Sequence, residues 1–164
     1  MKLEYSFKDD FFSYRTITED DAEIIVRWRS NPEIIRYYCN TVPVSMESHL
    51  EWYRNKYLIN DSRYDFLIFH NDIPIGFSAL TDIDFCEKSA LLNYTIGNFE
   101  YRGKGLSEKI IGSMLEFGNK EFNIKNFIAV IHKENIMSQH SAASQGFVLY
   151  NKSKTFYEYR RKIK

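Results

Sequence analysis

Residues 96–107 read Ile96-Gly97-Asn98-Phe99-Glu100-Tyr101-Arg102-Gly103-Lys104-Gly105-Leu106-Ser107, a glycine-rich turn between an apolar strand pattern and a long helical one. Glycines at 103 and 105 let the backbone bend and approach an anion closely. The helix start behind them presents unpaired N–H groups and the positive end of the helix dipole. Arg102 and Lys104 add charge at the same point, so the segment is built to hold phosphate. A Walker A loop would need glycine at 98 and Ser or Thr at 105, where Asn98 and Gly105 stand. A Rossmann fingerprint would need a third glycine where Glu108 stands, and an earlier place in the chain. Taken alone, Gly103-Lys104-Gly105 is equally a connecting turn, and its surroundings decide between the two.

Downstream, Leu106, Ile110, Met114 and Phe117 recur at helical spacing, with Ile111 and Leu115 widening the stripe, so a long amphipathic helix runs to about Phe122. Upstream, YDFLIF, the turn His70-Asn71-Asp72, IPIGFSALTDI and SALLNYTI read as an antiparallel meander of three strands. Before the meander come a strand FFSYRTI and a helix from Thr18, with Asp21 placed for a capping box, to about Ser30. Asn31-Pro32 restarts that helix as a short one through Tyr38. Ser45 caps a third helix with Met46, His49, Leu50, Tyr53 and Tyr57 on its buried face. The chain closes with the strand KNFIAVIH, a short helix from Asn135 to Gln145, and a hairpin of FVLY and TFYEYRRKI. This order describes a mixed α/β fold: a mainly antiparallel sheet flanked by helices.

The 164 residues fit one domain, 1–164, with 44% hydrophobic and 27% charged residues typical of a globular chain. Lys plus Arg (22) equals Asp plus Glu (22), so no whole-molecule field draws in a nucleic acid or an anionic membrane. The basic C-terminal residues, Lys152 to Lys164, read as the solvated face of an edge hairpin. The N-terminus MKLEYSFKDD turns acidic where a secretory signal would be apolar, and no run of about 18 apolar residues occurs to span a bilayer. Cys39 and Cys86 make at most one bridge and fit a reducing, cytoplasmic setting. His70, His132 and His140 form no metal cluster with carboxylates or cysteines, and no metal is expected.

In this context Arg102-Gly103-Lys104-Gly105-Leu106-Ser107 resembles the pyrophosphate motif of the GNAT N-acetyltransferase family, Arg/Gln-x-x-Gly-x-Gly/Ala, with serine in the last place. Asn135-Ile136-Met137-Ser138, followed by Gln145-Gly146-Phe147, is similar to the family's later Asn-x-x-Ala/Ser segment with Gly-Phe eleven and twelve residues after the asparagine. The resemblance covers nearly the whole chain and implies a GNAT fold using acetyl-CoA. It implies that the amides of Gly103, Lys104, Gly105, Leu106 and Ser107, beside Arg102, take the CoA pyrophosphate. It also implies that pantetheine lies along Tyr94, Thr95 and Ile96, with Asn135 and Ser138 flanking its reactive end.

In such an enzyme a neutral amine attacks the thioester directly, so catalysis is positioning, oxyanion stabilisation and proton transfer. Many relatives carry an acid tyrosine seven residues after the motif asparagine, where this chain has Ala142, and a base glutamate where it has Leu91. Relatives with serine at the place of Ser138 suggest that this hydroxyl or a bound water serves the leaving thiolate, with Ser138 the leading candidate. His49, whose side chain ordinarily titrates near 6.5, suits a base near neutrality and is equally readable as a packed core residue. The segments around Trp28-Arg29-Ser30-Asn31-Pro32-Glu33-Ile34 and His49-Leu50-Glu51-Trp52 resemble the acceptor-side helices of the amino-sugar and ribosomal-protein N-terminal branches. Arg29, Tyr37, His49 and Trp52 are the acceptor-side candidates, with Tyr38 and Tyr53 beside them. The expected partner is a small-molecule or peptide amine, foremost a nucleotide-linked amino sugar; protein N-termini, polyamines and aminoglycosides are the alternatives, and a homodimer is compatible with the reading. A non-catalytic acyl-CoA-binding module is the rival class.

Overall fold

The computed structural model describes residues 2–164. Eight strands form one sheet in the order β1-β2-β3-β4-β5-β6-β8-β7. They are β1 (Ser6–Lys8), β2 (Ser13–Thr16), β3 (Tyr64–His70), β4 (Ile73–Asp84), β5 (Ser89–Ile96), β6 (Asn126–His132), β7 (Val148–Lys152) and β8 (Phe156–Lys162). Every neighbouring pair is antiparallel except β5 and β6, which run parallel. The expected mixed, mainly antiparallel sheet with flanking helices is therefore the fold observed.

Helices cover both faces. They are α1 (Ala22–Arg29), α2 (Pro32–Ile35), α3 (Met46–Asn55), α4 (Leu106–Phe122) and α5 (Ile136–Ser144). β3 shows how the layers are specified, because successive side chains of a strand point to opposite faces. Phe66 and Ile68 join the core under α4 with Leu80, Leu92, Ile110, Met114 and Phe127. Leu67, between them, joins the second core with Ile25, Trp28, Ile35 and Tyr53 from α1 to α3.

Four sequence expectations need correction. The N-terminal strand is preceded by another: β1 pairs with β2, and Phe7 stacks on Tyr14 and Phe117, each at 4.4 Å between ring centres. The second helix ends at Ile35 rather than Tyr38, and the long helix begins at Leu106 rather than Gly103. On the third helix, Met46 is exposed and Tyr57 lies on a separate 3-10 turn, leaving His49 and Tyr53 as the buried face.

Candidate active site

The turn after β5 is assembled from local hydrogen bonds. Gly97 and Asn98 both donate their N–H to the Ile75 carbonyl, at 2.9 and 3.0 Å. Asn98 then caps the 3-10 turn Phe99–Tyr101 through the Glu100 N–H. Arg102 turns back, its Nε donating to the Ile96 carbonyl at 3.1 Å, and its guanidinium stacks on Phe99. Gly103 and Gly105 both have φ of +70°, and a side-chain carbon at either would meet nothing within 4 Å. Gly105 is the N-cap of α4 and carries no capping side chain. Among the described residues, no backbone acceptor takes the amides of Gly103, Lys104 or Gly105. The result is a row of N–H groups without backbone acceptors at a helix start, with open space beside Gly103 and Gly105.

The parallel ladder of β5 and β6 stops after Ser89, Ala90 and Leu91, which pair with Asn126, Phe127 and Ile128. Beyond that point residues 92–96 and 129–132 diverge, and a cleft of about 760 Å³ opens between them. One wall is the glycine turn, another the start of α5, and the far end lies beneath α1 to α3.

At the α5 end, Asn135 caps the helix by accepting the Ser138 N–H at 3.2 Å. From the opposite wall the Tyr94 hydroxyl donates to Ser138 Oγ at 3.1 Å. Ala142, two turns into α5, is buried and supplies no hydroxyl. Leu91 borders the cleft and supplies no carboxylate.

The opposite end is polar and aromatic. His49 is only 3% exposed, and its Nε2 has no hydrogen-bond partner among the described residues. Burial holds its pKa below the ordinary value, and the Arg29 guanidinium pushes the same way. Arg29 Nε is likewise buried and unpartnered. Arg63 reaches in from the start of β3 and grips Asp65 through Nε and Nη2 at 2.7 and 2.9 Å. The Arg63 guanidinium lies over Trp52, whose indole in turn tilts against His49 at 5.6 Å. Tyr38 bonds to Thr95 on β5, joining the loop after α2 to the strand.

Of the residues singled out in sequence, Tyr94, Thr95, Ile96, Arg102, Gly103, Gly105, Leu106, Ser107, Asn135 and Ser138 border this one cleft, as do Arg29, Tyr37, His49 and Trp52. Lys104 does not; it is exposed, its ammonium 5.9 Å from the Tyr101 ring centre. Tyr53 belongs to the core beneath α3 rather than to the wall. Arg63 and Asp65 were missed. The signal was present, since Asp65 is the one charge in the otherwise apolar YDFLIF and Arg63 stands two residues before it, on the same face of the strand. Cys39 and Cys86 are both free thiols. Among the described residues no His/Cys/Asp/Glu group of three could hold a metal, and no helix is long and apolar enough to cross a membrane.

An extended thioester of a nucleotide fits these features: open space and unused amides for a pyrophosphate, unpaired strand edges for a linear amide chain, and a hydroxyl pair where the chain would end. Fold and cleft define the class of acyl-CoA-binding α/β proteins. The chain belongs to the GNAT family: the family model for an acetyltransferase (GNAT) domain matches residues 12–148. The acetyl donor of that family is acetyl-CoA.

An uncharacterized protein of Methanocaldococcus jannaschii is 27% identical over 145 residues; the match covers 85% of this chain and 28% of that protein, so the chain spans little more than a quarter of its relative's length. The spermidine N-acetyltransferase of Vibrio cholerae, solved with CoA and spermine, superposes with a TM-score of 0.86 at 19% identity, covering 94% of this chain and 96% of the other. A domain from Methanocaldococcus jannaschii superposes with a TM-score of 0.80 at 25% identity, covering 94% of this chain and all of the other.

Proposed function

We propose that residues 1–164 form one acetyltransferase domain that moves the acetyl group of acetyl-CoA to a primary amine by direct attack, and that the amine belongs to a nucleotide-linked amino sugar. Acetyl-CoA, when bound, supplies the thioester carbonyl that the amine attacks. The amides of residues 103–107 bind its pyrophosphate, with Arg102 alongside and Lys104 at the rim. Tyr94, Thr95 and Ile96 line the path of the pantetheine, and Asn135 and Ser138 flank its end. Ser138 serves the leaving thiolate. His49, held neutral by burial and by Arg29, takes the proton that the amine sheds.

The charge balance at the acceptor end supports an anionic acceptor. Among the described residues Arg29 offers an Nε without a hydrogen-bond partner, whereas Asp65, one of the two carboxylates bordering the cleft, is already gripped by Arg63. A polycation such as the spermine of the Vibrio cholerae structure would meet Asp65, already paired, and Glu33, exposed and 3.9 Å from Arg36; a phosphate-bearing acceptor would meet the buried Nε of Arg29. Tyr37 and Trp52 supply flat apolar surface for a sugar or base.

Free-thiol release from acetyl-CoA, measured against nucleotide-linked amino sugars, N-terminal peptides, polyamines and aminoglycosides, tests this reading. Release should be greatest with the first group and lost in Gly105→Glu, which puts bulk and negative charge among the turn amides. Saturable CoA binding without release by any acceptor would favour the non-catalytic module, and release with polyamines alone would overturn the anionic acceptor.

A further inference from the structure

Resting on the acetyl-transfer reading above, we infer that Tyr94 is the source of the proton that Ser138 delivers to the departing thiolate, so that the two hydroxyls form a relay across the split in the sheet. Tyr94 stands on β5 and Ser138 on the first turn of α5, 44 residues later, and they meet only because β5 and β6 diverge between them.

The direction of the hydrogen bond matters. Tyr94 donates and Ser138 Oγ accepts, at 3.1 Å, which leaves the Ser138 O–H free to point at a third group. Among the described residues nothing accepts from that O–H. The Ser138 main chain is itself held, its N–H bonded to the Asn135 side chain at 3.2 Å, so the hydroxyl has a fixed origin. Both side chains border the cleft at the end where Asn135 stands.

An aliphatic hydroxyl alone is a poor proton donor to a thiolate, and a phenol is a far better one. The position one turn beyond Ser138 that would carry a phenol from the helix is Ala142, buried and inert. Tyr94 supplies a phenol from the facing strand instead. As the amine's N–C bond forms and the thioester C–S bond breaks, Ser138 delivers its proton to sulfur and takes Tyr94's in the same movement. His49 takes the proton shed by the amine and passes it to water, and Tyr94 recovers a proton from water. One proton enters and one leaves, and no other reactant is needed. Ser138 is the catalytic residue of the pair; Tyr94 supplies and positions it.

Two measurements test the relay. Calorimetric titration of CoA and of desulfo-CoA into the unsubstituted protein, Tyr94→Phe and Ser138→Ala reads contact with the sulfur without turnover. Each substitution should weaken CoA several-fold, the scale of one hydrogen bond, and leave desulfo-CoA unchanged. Steady-state kinetics should then show kcat falling about 100-fold in either variant with KM for acetyl-CoA unchanged. The double variant should be no slower than the worse single one, because a relay cut once is fully cut. Equal weakening of both ligands, or multiplicative losses in the double variant, would overturn the relay. Failure of the unsubstituted protein to bind either ligand would overturn the acyl-CoA reading beneath it, a result separable from the others. Thermal unfolding of Tyr94→Phe, which keeps the ring, confirms that the fold is intact before either comparison is made.

Discussion

Arg63 holds Asp65 by a two-pronged contact, 2.7 and 2.9 Å, on the floor of the cleft. Both belong to the start of the meander, and the pair compensates one of the two carboxylates that border the cleft. Arg63→Met strands a largely buried carboxylate. The protein should lose about 1–3 kcal/mol of stability in urea unfolding. Arg63→Met/Asp65→Asn should recover part of that loss. An Arg63→Met protein as stable as its parent would show that the pair contributes nothing to the fold.

His49 makes stability depend on pH. Its folded pKa is depressed, chiefly by burial and then by Arg29, so the unfolded chain binds a proton at a pH where the folded protein does not. Stability from this residue is therefore fully present above the unfolded value near 6.5 and declines as pH falls below it, at up to about 1.4 kcal/mol per pH unit until the folded pKa is reached. Urea midpoints between pH 8 and pH 5 should fall more steeply for the parent than for His49→Gln. Parallel curves would mean that His49 is not held neutral.

Gly97 lies against Trp28. A side-chain carbon at 97 would come within 2.2 Å of the indole, so the contact between α1 and the end of β5 requires glycine. Gly97→Ala should cost about 1–3 kcal/mol through overpacking. It should also shift tryptophan fluorescence, and Trp28→Phe should relieve part of the cost. An unchanged melting temperature in Gly97→Ala would refute the close approach.

Gly105 separates backbone cost from ligand binding. Its φ of +70° disfavours any side chain, while the space around it is open. Gly105→Ala should lose about 1 kcal/mol without ligand. CoA at about 100 times its Kd should stabilise the parent by about 2.7 kcal/mol, roughly 5–10 °C in Tm for a chain of this size. That gain should be much smaller in Gly105→Glu. An equal gain would place the pyrophosphate elsewhere.

Much of the fold was legible because its signals are local. The alternation in the meander, the stripe from Leu106 to Phe117 and the two glycines needed at positive φ are each written within one element. β1 was not legible, since Ser6-Phe7-Lys8 has too few residues to show a period and exists through its pairing with β2 and the stacking of Phe7. The early end of α2 was equally hidden: Tyr38, which continues the helical pattern on paper, is drawn to Thr95 on a strand 57 residues away.

By itself, the sequence determined the order of elements from β2 onward, the glycine turn at the head of α4, the short helix from about Asn135 and the family these motifs resemble. Periodicity and backbone conformation at glycine depend on near neighbours. Only the tertiary structure decided where the β5–β6 ladder stops, that Tyr94 meets Ser138, that Asp65 is paired with Arg63, and that, among the described residues, Arg29 Nε and His49 Nε2 are buried without hydrogen-bond partners. Periodicity assigns a side chain to a face but leaves its distant neighbour unspecified, and an unsatisfied atom is defined by what fails to surround it. Such relationships come into being only when remote segments pack.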